Sequence, residues 1–399
     1  MAHPVGEVHA AATVTGDCAS ALSYSLKHSQ QVVSCVTMTS GTPARSTSAS
    51  SRRVGGVIPQ TGFPGVSCDS LPIYVWYYGR FQMCLEDGFG ETLYQNGKSV
   101  GQANFAYAQQ IDLSATSLQW TESDYATLNS VSGIAVNNSL GWVTSCSGSC
   151  SPASQTVWPV TPIAVGQTLH GTVTFRGTPG SGSSVSLSAT PTVTIVDPAG
   201  SPAADPLTLY VSLGMRCDNG LAVSNSAGCV IPAYVPVLSV SRASYGASAA
   251  MIQWAQANLS GHWGLQGSGQ PLRRLANSSQ ASANRKVVCD GTFVSGSTGV
   301  ANDSCDEFPF AATYESGALN GITSGSQCAQ VTAVRTATTG STAQQWGNIS
   351  VIGTPTGSEA CVRGHIPLSL NSDVGGLLGR FTQAQRLIDN DQYWLSVTS

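Results

Sequence analysis

The sequence predicts a multidomain α+β protein, with an N-terminal antiparallel β-rich, sandwich-like region followed by a compact α/β domain. Three observations carry this. Short aromatic or β-branched runs separated by Gly, Asn, Asp and Pro fill residues 66–240. Apolar residues then recur at helical spacing in AAMIQWAQANL. Charged side chains, only 10% of the chain, become denser beyond residue 270. A chain of 399 residues is long enough for two or three domains. The expected division is an extension over 1–65, a β-rich domain over 66–240, a helical junction over 241–269 and a C-terminal domain over 270–399.

The formal charge of −4 provides no overall attraction for nucleic acid, so any contact with DNA must pass through a local basic patch or metal ions. Twelve cysteines, mostly close neighbours in sequence, predict a disulfide framework and an oxidising compartment. Pairing in order joins 18 to 35, 68 to 84, 146 to 150, 217 to 229, 289 to 305 and 328 to 361. Structural zinc is the weaker reading, because there is no CxxC pair and the histidines lie far from most cysteines. The opening MAHPVGEVHAAATVTG has no basic segment leading into an apolar one, and is read as a mature or recombinant form of a secreted, extracellular protein whose export signal has been removed. No apolar run reaches the length of a membrane span.

Residues 39–58 are rich in Ser, Thr and Gly and predict a loop, with Arg52-Arg53 read as solvated or as a processing site. LPIYVWYYGRFQMCLE, SVSLSATPTVTIV and LTLYVSLGM predict strands, and QTLHGTVTFRG alternates as a half-buried strand should. Trp76, Tyr77, Tyr78 and Phe81 fit core packing better than a recognition surface. His170 reads as an ordinary polar side chain. GTPGSGSSVS predicts a turn. Ser244 or Ser248 is placed to cap the helix that ends near Ser260-Gly261. Arg273, Arg274, Arg285 and Lys286 form the densest basic group, read either as a solvated connector or as a phosphate-contacting edge. FTQAQRLIDND predicts a helix beside an exposed glycine segment, and QYWLSV a terminal strand.

The chemistry-bearing residues lie in NDSCDEFPFAATYESGAL and CVRGHIPLSLNSD. One carboxylate of Asp306-Glu307 can coordinate a hard divalent cation while the other binds it through water or accepts a proton. Neighbours on a strand point to opposite faces, so both serve one site only if the chain turns or one acts indirectly. The bland reading is an acidic loop anchored by Phe308 and Phe310. In the second segment, His365 can act as a base or merely bond a loop, Asn371 can offer a carbonyl oxygen to a metal, and Arg363 can stabilise phosphate charge.

The block CDEFPFAATYESG, the NSDVGGLLGRF segment and the closing LIDNDQYWLSV together resemble the NucA/NucB family of secreted deoxyribonucleases. The matching positions are Asp306, Glu307, Phe308 and Pro309, then Glu315 with Gly317, then Asn371 with Gly375 and Gly376. The resemblance covers roughly residues 270–399 and implies a metal-dependent endodeoxyribonuclease of little sequence specificity. It implies DNA as substrate, a divalent ion such as Mg²⁺, Mn²⁺ or Ca²⁺ as cofactor, and Asp306, Asn371 and Glu315 as metal ligands. Glu307, His365 and Arg363 are the expected catalytic residues. Glu307 has three roles open to it: ligating through water, orienting His365, or acting as the base. The rival class is a secreted adhesin or carbohydrate-binding protein with a degenerate nuclease domain.

Overall fold

A computed structural model describes residues 6–9, 18–38, 75–200, 204–222, 226–267, 269–336 and 342–399. The chain divides into two compact units, one of residues 1–220 with 226–234, the other of 221–225 with 235–399. The expected segments at 39–58 and Arg52-Arg53 lie outside the described residues. Among the described residues no helix is long and apolar enough to cross a membrane.

The first unit is built from antiparallel strands. One sheet runs through Gly6–His9, Val75–Tyr78, Gln82–Gln95, Lys98–Ser114, Ser117–Gly133, Thr168–Gly177 and Cys150–Ser151, with Val32–Met38 added beside Gln82–Gln95. The other runs through Ala227–Val230, Met215–Asn219, Ser183–Val196, Ser139–Gly148 and Ser154–Pro162. Strict alternation buries Leu187, Ala189, Val193 and Ile195 of Ser183–Val196. Side chains of both sheets meet in one core, where Tyr107 approaches Trp142 edge-on at 5.9 Å. Trp76 and Tyr77 are buried, as packing residues should be. LTLYVSLGM yields only Leu207–Thr208 before Met215, and LPIYVWYYGRFQMCLE is broken by a turn between Tyr78 and Gln82.

Five of the disulfides expected from sequence order are present: Cys18–Cys35, Cys146–Cys150, Cys217–Cys229, Cys289–Cys305 and Cys328–Cys361. The expected partner of Cys84, Cys68, lies outside the described residues.

The second unit begins before the predicted junction, and the segment expected to be a connector is its centre. Val237–Ser241 pairs in parallel with the terminal strand Gln392–Thr398, which Leu272–Arg273 joins antiparallel. The kinked helix Arg242–Asn258 then buries Ala249, Met251, Ile252 and Ala255 in a core shared with Phe308, Val331 and Val362. A four-stranded sheet orders the acidic strand Asp303–Phe308, the Arg-Gly-His strand Val362–Pro367, Ala329–Val334 and Asn348–Ile352. Only the pairing of Ala329–Val334 with Val362–Pro367 is parallel in that sheet.

Two further helices flank the acidic strand. The basic helix Ser278–Val288 starts at Asn277, whose side chain accepts from the Gln280 amide, and carries Arg285 and Lys286 in its last turn. The C-terminal helix is Leu368–Ala384, so only residues 381–384 of the FTQAQRLIDND segment are helical, and the helix instead contains the glycines expected to be an exposed loop. Leu370, Val374, Leu377, Leu378 and Phe381 recur at helical spacing and supply its packed stripe, which outweighs the low helix propensity of Gly375, Gly376 and Gly379.

Candidate functional site

Strand alternation separates the two central acids. Asp306 shares its face with Ser304 and Phe308, and its Oδ2 accepts a 2.7 Å hydrogen bond from Ser248 of the kinked helix. Glu307 turns towards the basic helix, where its Oε1 accepts from Arg285 Nε at 3.0 Å. Both nevertheless border one cavity of about 470 Å³, together with Arg274, Arg285, Ser278, Ser282 and Asn371. Asn371 donates through Nδ2 to the Cys305 carbonyl at 2.9 Å and to Ser304 Oγ at 3.2 Å. Its amide nitrogen is thereby committed to the strand, and its carbonyl oxygen is left for another partner. Cys305 is tied to Cys289 at the end of the basic helix, which fixes the acidic strand to the helix that supplies Arg285.

The electrostatics are set by burial. Asp306 is pushed up to about 7, first by loss of solvent and then by the neighbouring Glu307 charge, with the Ser248 hydrogen bond opposing both. Burial also raises Glu307, against the pull of Arg285. Arg285 is a tether exposed to solvent: its side chain is 64% accessible while that of Glu307 is 5%. The cavity therefore holds two acids removed from water and a cation still able to meet a ligand.

The other expected site residues are held elsewhere. Glu315 accepts from both the backbone amide and Nε of Arg273, each at 2.7 Å, so both its oxygens are engaged. Arg363 donates to the Val288 carbonyl, Asp290, Thr292 and Gln330, which spends its guanidinium on joining strand, helix end and loop. His365 pairs through Nδ1 with Asp303 at 2.7 Å and stacks on Phe293 at 4.1 Å. None of these three lines the cavity beside Asp306. Arg363 and His365 stand opposite Glu307 and Cys305, on the sheet face away from Asp306, and their hydrogen bonds to Asp290, Thr292 and Asp303 and the stack of His365 on Phe293 hold them there. Ser248, read from sequence only as a helix cap, is instead the buried partner of Asp306. A serine in an alanine-rich helix gives no sequence signal of that kind.

Among the described residues no group of three or more His, Cys, Asp or Glu side chains is arranged to hold a metal ion. Besides hydroxyls such as Ser278 and Ser282, the oxygen donors at the cavity are two carboxylates and one carboxamide. That set suits a magnesium-like ion, which takes one or two protein carboxylates and keeps several waters, and does not suit a closed zinc site.

Removing the Ser248 hydroxyl tests the coupling between helix and acid. Because the hydrogen bond favours ionised Asp306, Ser248→Ala is expected to move the acidic limb of any activity profile upward by about one pH unit. Activity measured against pH checks this, and a profile superimposable on that of the parent would remove Ser248 from the site.

Comparison of the chain with protein-family models, with curated proteins and with solved structures gives no match in any of the three.

Proposed function

We propose that the Asp306–Glu307 cavity hydrolyses DNA phosphodiester bonds with little sequence preference, in a protein working outside the cell. The observation that carries this reading is the convergence of two desolvated carboxyls, the Asn371 carboxamide and the arginines Arg274 and Arg285 on one cavity. The sequence resemblance of residues 270–399 supplies the preference for DNA, and the disulfides fit an oxidising setting.

In this reading Asp306 and Asn371 hold a divalent ion, which supplies charge neutralisation and an acidified water when bound. Arg285, partly free of Glu307, and Arg274 at the rim grip the phosphate, and backbone contacts of this kind carry no sequence information. Glu307 takes the proton from the attacking water, since its raised basicity places a carboxylate where it can act as a general base. Glu315 fixes the Arg273 segment beside the cavity, while Arg363 and His365 hold the 290–303 segment against the sheet.

The test is incubation of the purified protein with linear and circular DNA in Mg²⁺, Mn²⁺ or Ca²⁺, with and without EDTA. Circular DNA is expected to be cut, EDTA to stop the reaction and added ion to restore it. Failure to cleave with every ion across a broad pH range would overturn the reading. Sugar binding localised to residues 66–240, with no cleavage, would assign the chain to the adhesin class instead.

A further inference from the structure

The core of the first unit contains an arrangement that packing alone does not explain. Gln109 of Lys98–Ser114, Glu122 of Ser117–Gly133 and Thr144 of Ser139–Gly148 converge between the two sheets, each at most 1% exposed. Gln109 Nε2 donates to Glu122 Oε1 at 3.2 Å, and Thr144 Oγ1 donates to the same oxygen at 3.4 Å. Asp124, also fully buried, stands opposite Gln109 in the strand register. Glu122 and Asp124 face each other as a buried acid pair bonded through a shared proton, and Gln109 Oε1 has no hydrogen-bond partner. Two acids and an unpaired carboxamide oxygen in a dry core are costly, and their convergence calls for a chemical reason.

The residue types supply one. A hydroxyl, a carboxamide and a carboxyl base are the three groups needed for acyl transfer from an amide to an alcohol. We propose that Thr144 and Gln109 react to form an intramolecular ester that covalently joins the two sheets.

Glu122 removes the Thr144 Oγ1 proton as that oxygen attacks Cδ of Gln109. Asp124 lends its proton to the amide oxygen in the tetrahedral intermediate and recovers it on collapse. The Cδ–Nε2 bond breaks, and Nε2 takes the proton held by Glu122 and leaves as ammonia. One C–O bond replaces one C–N bond, nothing is oxidised or reduced, and loss of ammonia to solvent draws the reaction forward. Burial pushes Glu122 up to about 7, while burial and the Glu122 charge hold Asp124 well above the usual carboxylate range. The pair is thus divided into a base and an acid near neutral pH. Exclusion of water protects the product ester from hydrolysis.

The experiment is intact mass spectrometry of the full chain with its disulfides reduced, followed by peptide mapping. Expected is a mass about 17 Da below that of the sequence, the loss of one ammonia in acyl transfer, and a joined Gln109–Thr144 peptide that hydroxylamine separates. Thr144→Val and Glu122→Gln are each expected to restore the full mass and yield two separate peptides. Wild-type protein of full mass with the two peptides unlinked overturns the proposal, and this readout needs no variant to fold. A deficit that maps to other residues overturns it equally.

Discussion

Asp306→Asn is expected to abolish metal-dependent DNA cleavage while making the metal-free protein more stable above neutral pH. The two effects share one cause. Burial and the Glu307 charge raise the Asp306 carboxyl from 3.8 to about 7, so its neutral form is the one the fold prefers. The stability this contributes is complete below the unfolded value and is lost as pH rises from about 4 through about 7, on the order of 4 kcal/mol in all. Asparagine keeps the shape, can still accept from Ser248, and never acquires the charge. At acidic pH the two proteins should therefore melt alike, and at alkaline pH the variant should melt higher. A divalent ion reverses the order by stabilising the ionised parent and leaving the variant unmoved. Turnover should fall by about 10²–10⁴ in Glu307→Gln, the scale of losing a positioned acid–base group, and further in Asp306→Asn, which loses the metal ligand. Melting curves at acidic and alkaline pH, with and without metal, and cleavage at saturating metal check this. Near-parental turnover in both variants would remove this cavity from the reaction.

Much of the fold was readable because local signals agreed with the global one. Ser183–Val196 alternates apolar and polar side chains and forms a central strand, and Gln392–Thr398 closes the chain as its pattern requires. The in-order cysteine pairs joined segments that are also neighbours in space. The failures have physical causes. Asn96-Gly97 turns Gln82–Gln95 into Lys98–Ser114, with both residues at positive φ, 47° and 71°, and this hairpin signal was present in the sequence. The C-terminal helix was placed too late in the chain because its glycines speak locally for a loop, whereas its apolar stripe is satisfied only by packing. The unit boundary at Val235 depends on the pairing of Val237–Ser241 with a strand at the far end of the chain, which no local pattern records.

The candidate site divides in the same way. Asp306 and Glu307 were found because acids are scarce in this sequence, 21 Asp and Glu in 399 residues, and carry chemistry where they cluster; Asn371 was found because it stands in the NSDVGGLLGRF segment that carries the family resemblance. Arg363 and His365 were overvalued for an equivalent reason. Their side chains are chemically capable, but they are engaged by Asp290, Thr292 and Asp303, a set of partners invisible until the sheet is assembled.

Gly246→Ala is expected to be strongly damaging to the second unit. Gly246 lies within the Arg242–Asn258 helix at φ 42° and ψ −119°, a backbone conformation that residues with a Cβ essentially do not adopt. A Cβ there would stand 2.4 Å from the Ala343 carbonyl oxygen and 2.7 Å from that of Trp346, both backbone atoms with little freedom to retreat. Strain and overlap together should cost about 3–5 kcal/mol and lower the melting temperature by roughly 10 °C. Gly375→Ala is the control for stability: its Cβ meets nothing within 4 Å, its φ is not positive, and it lies inside a helix where alanine is preferred by about 0.8–1.0 kcal/mol. The kink matters to the site because Ala247 and Ser248 follow it directly and are fully buried, with Ser248 delivered to Asp306. Residual folded Gly246→Ala should therefore show the upward pH shift expected of Ser248→Ala, through displacement of the hydroxyl instead of its removal. An unchanged melting temperature would mean that the chain does not bend here, and the helix would then have to reach Asp306 by another path.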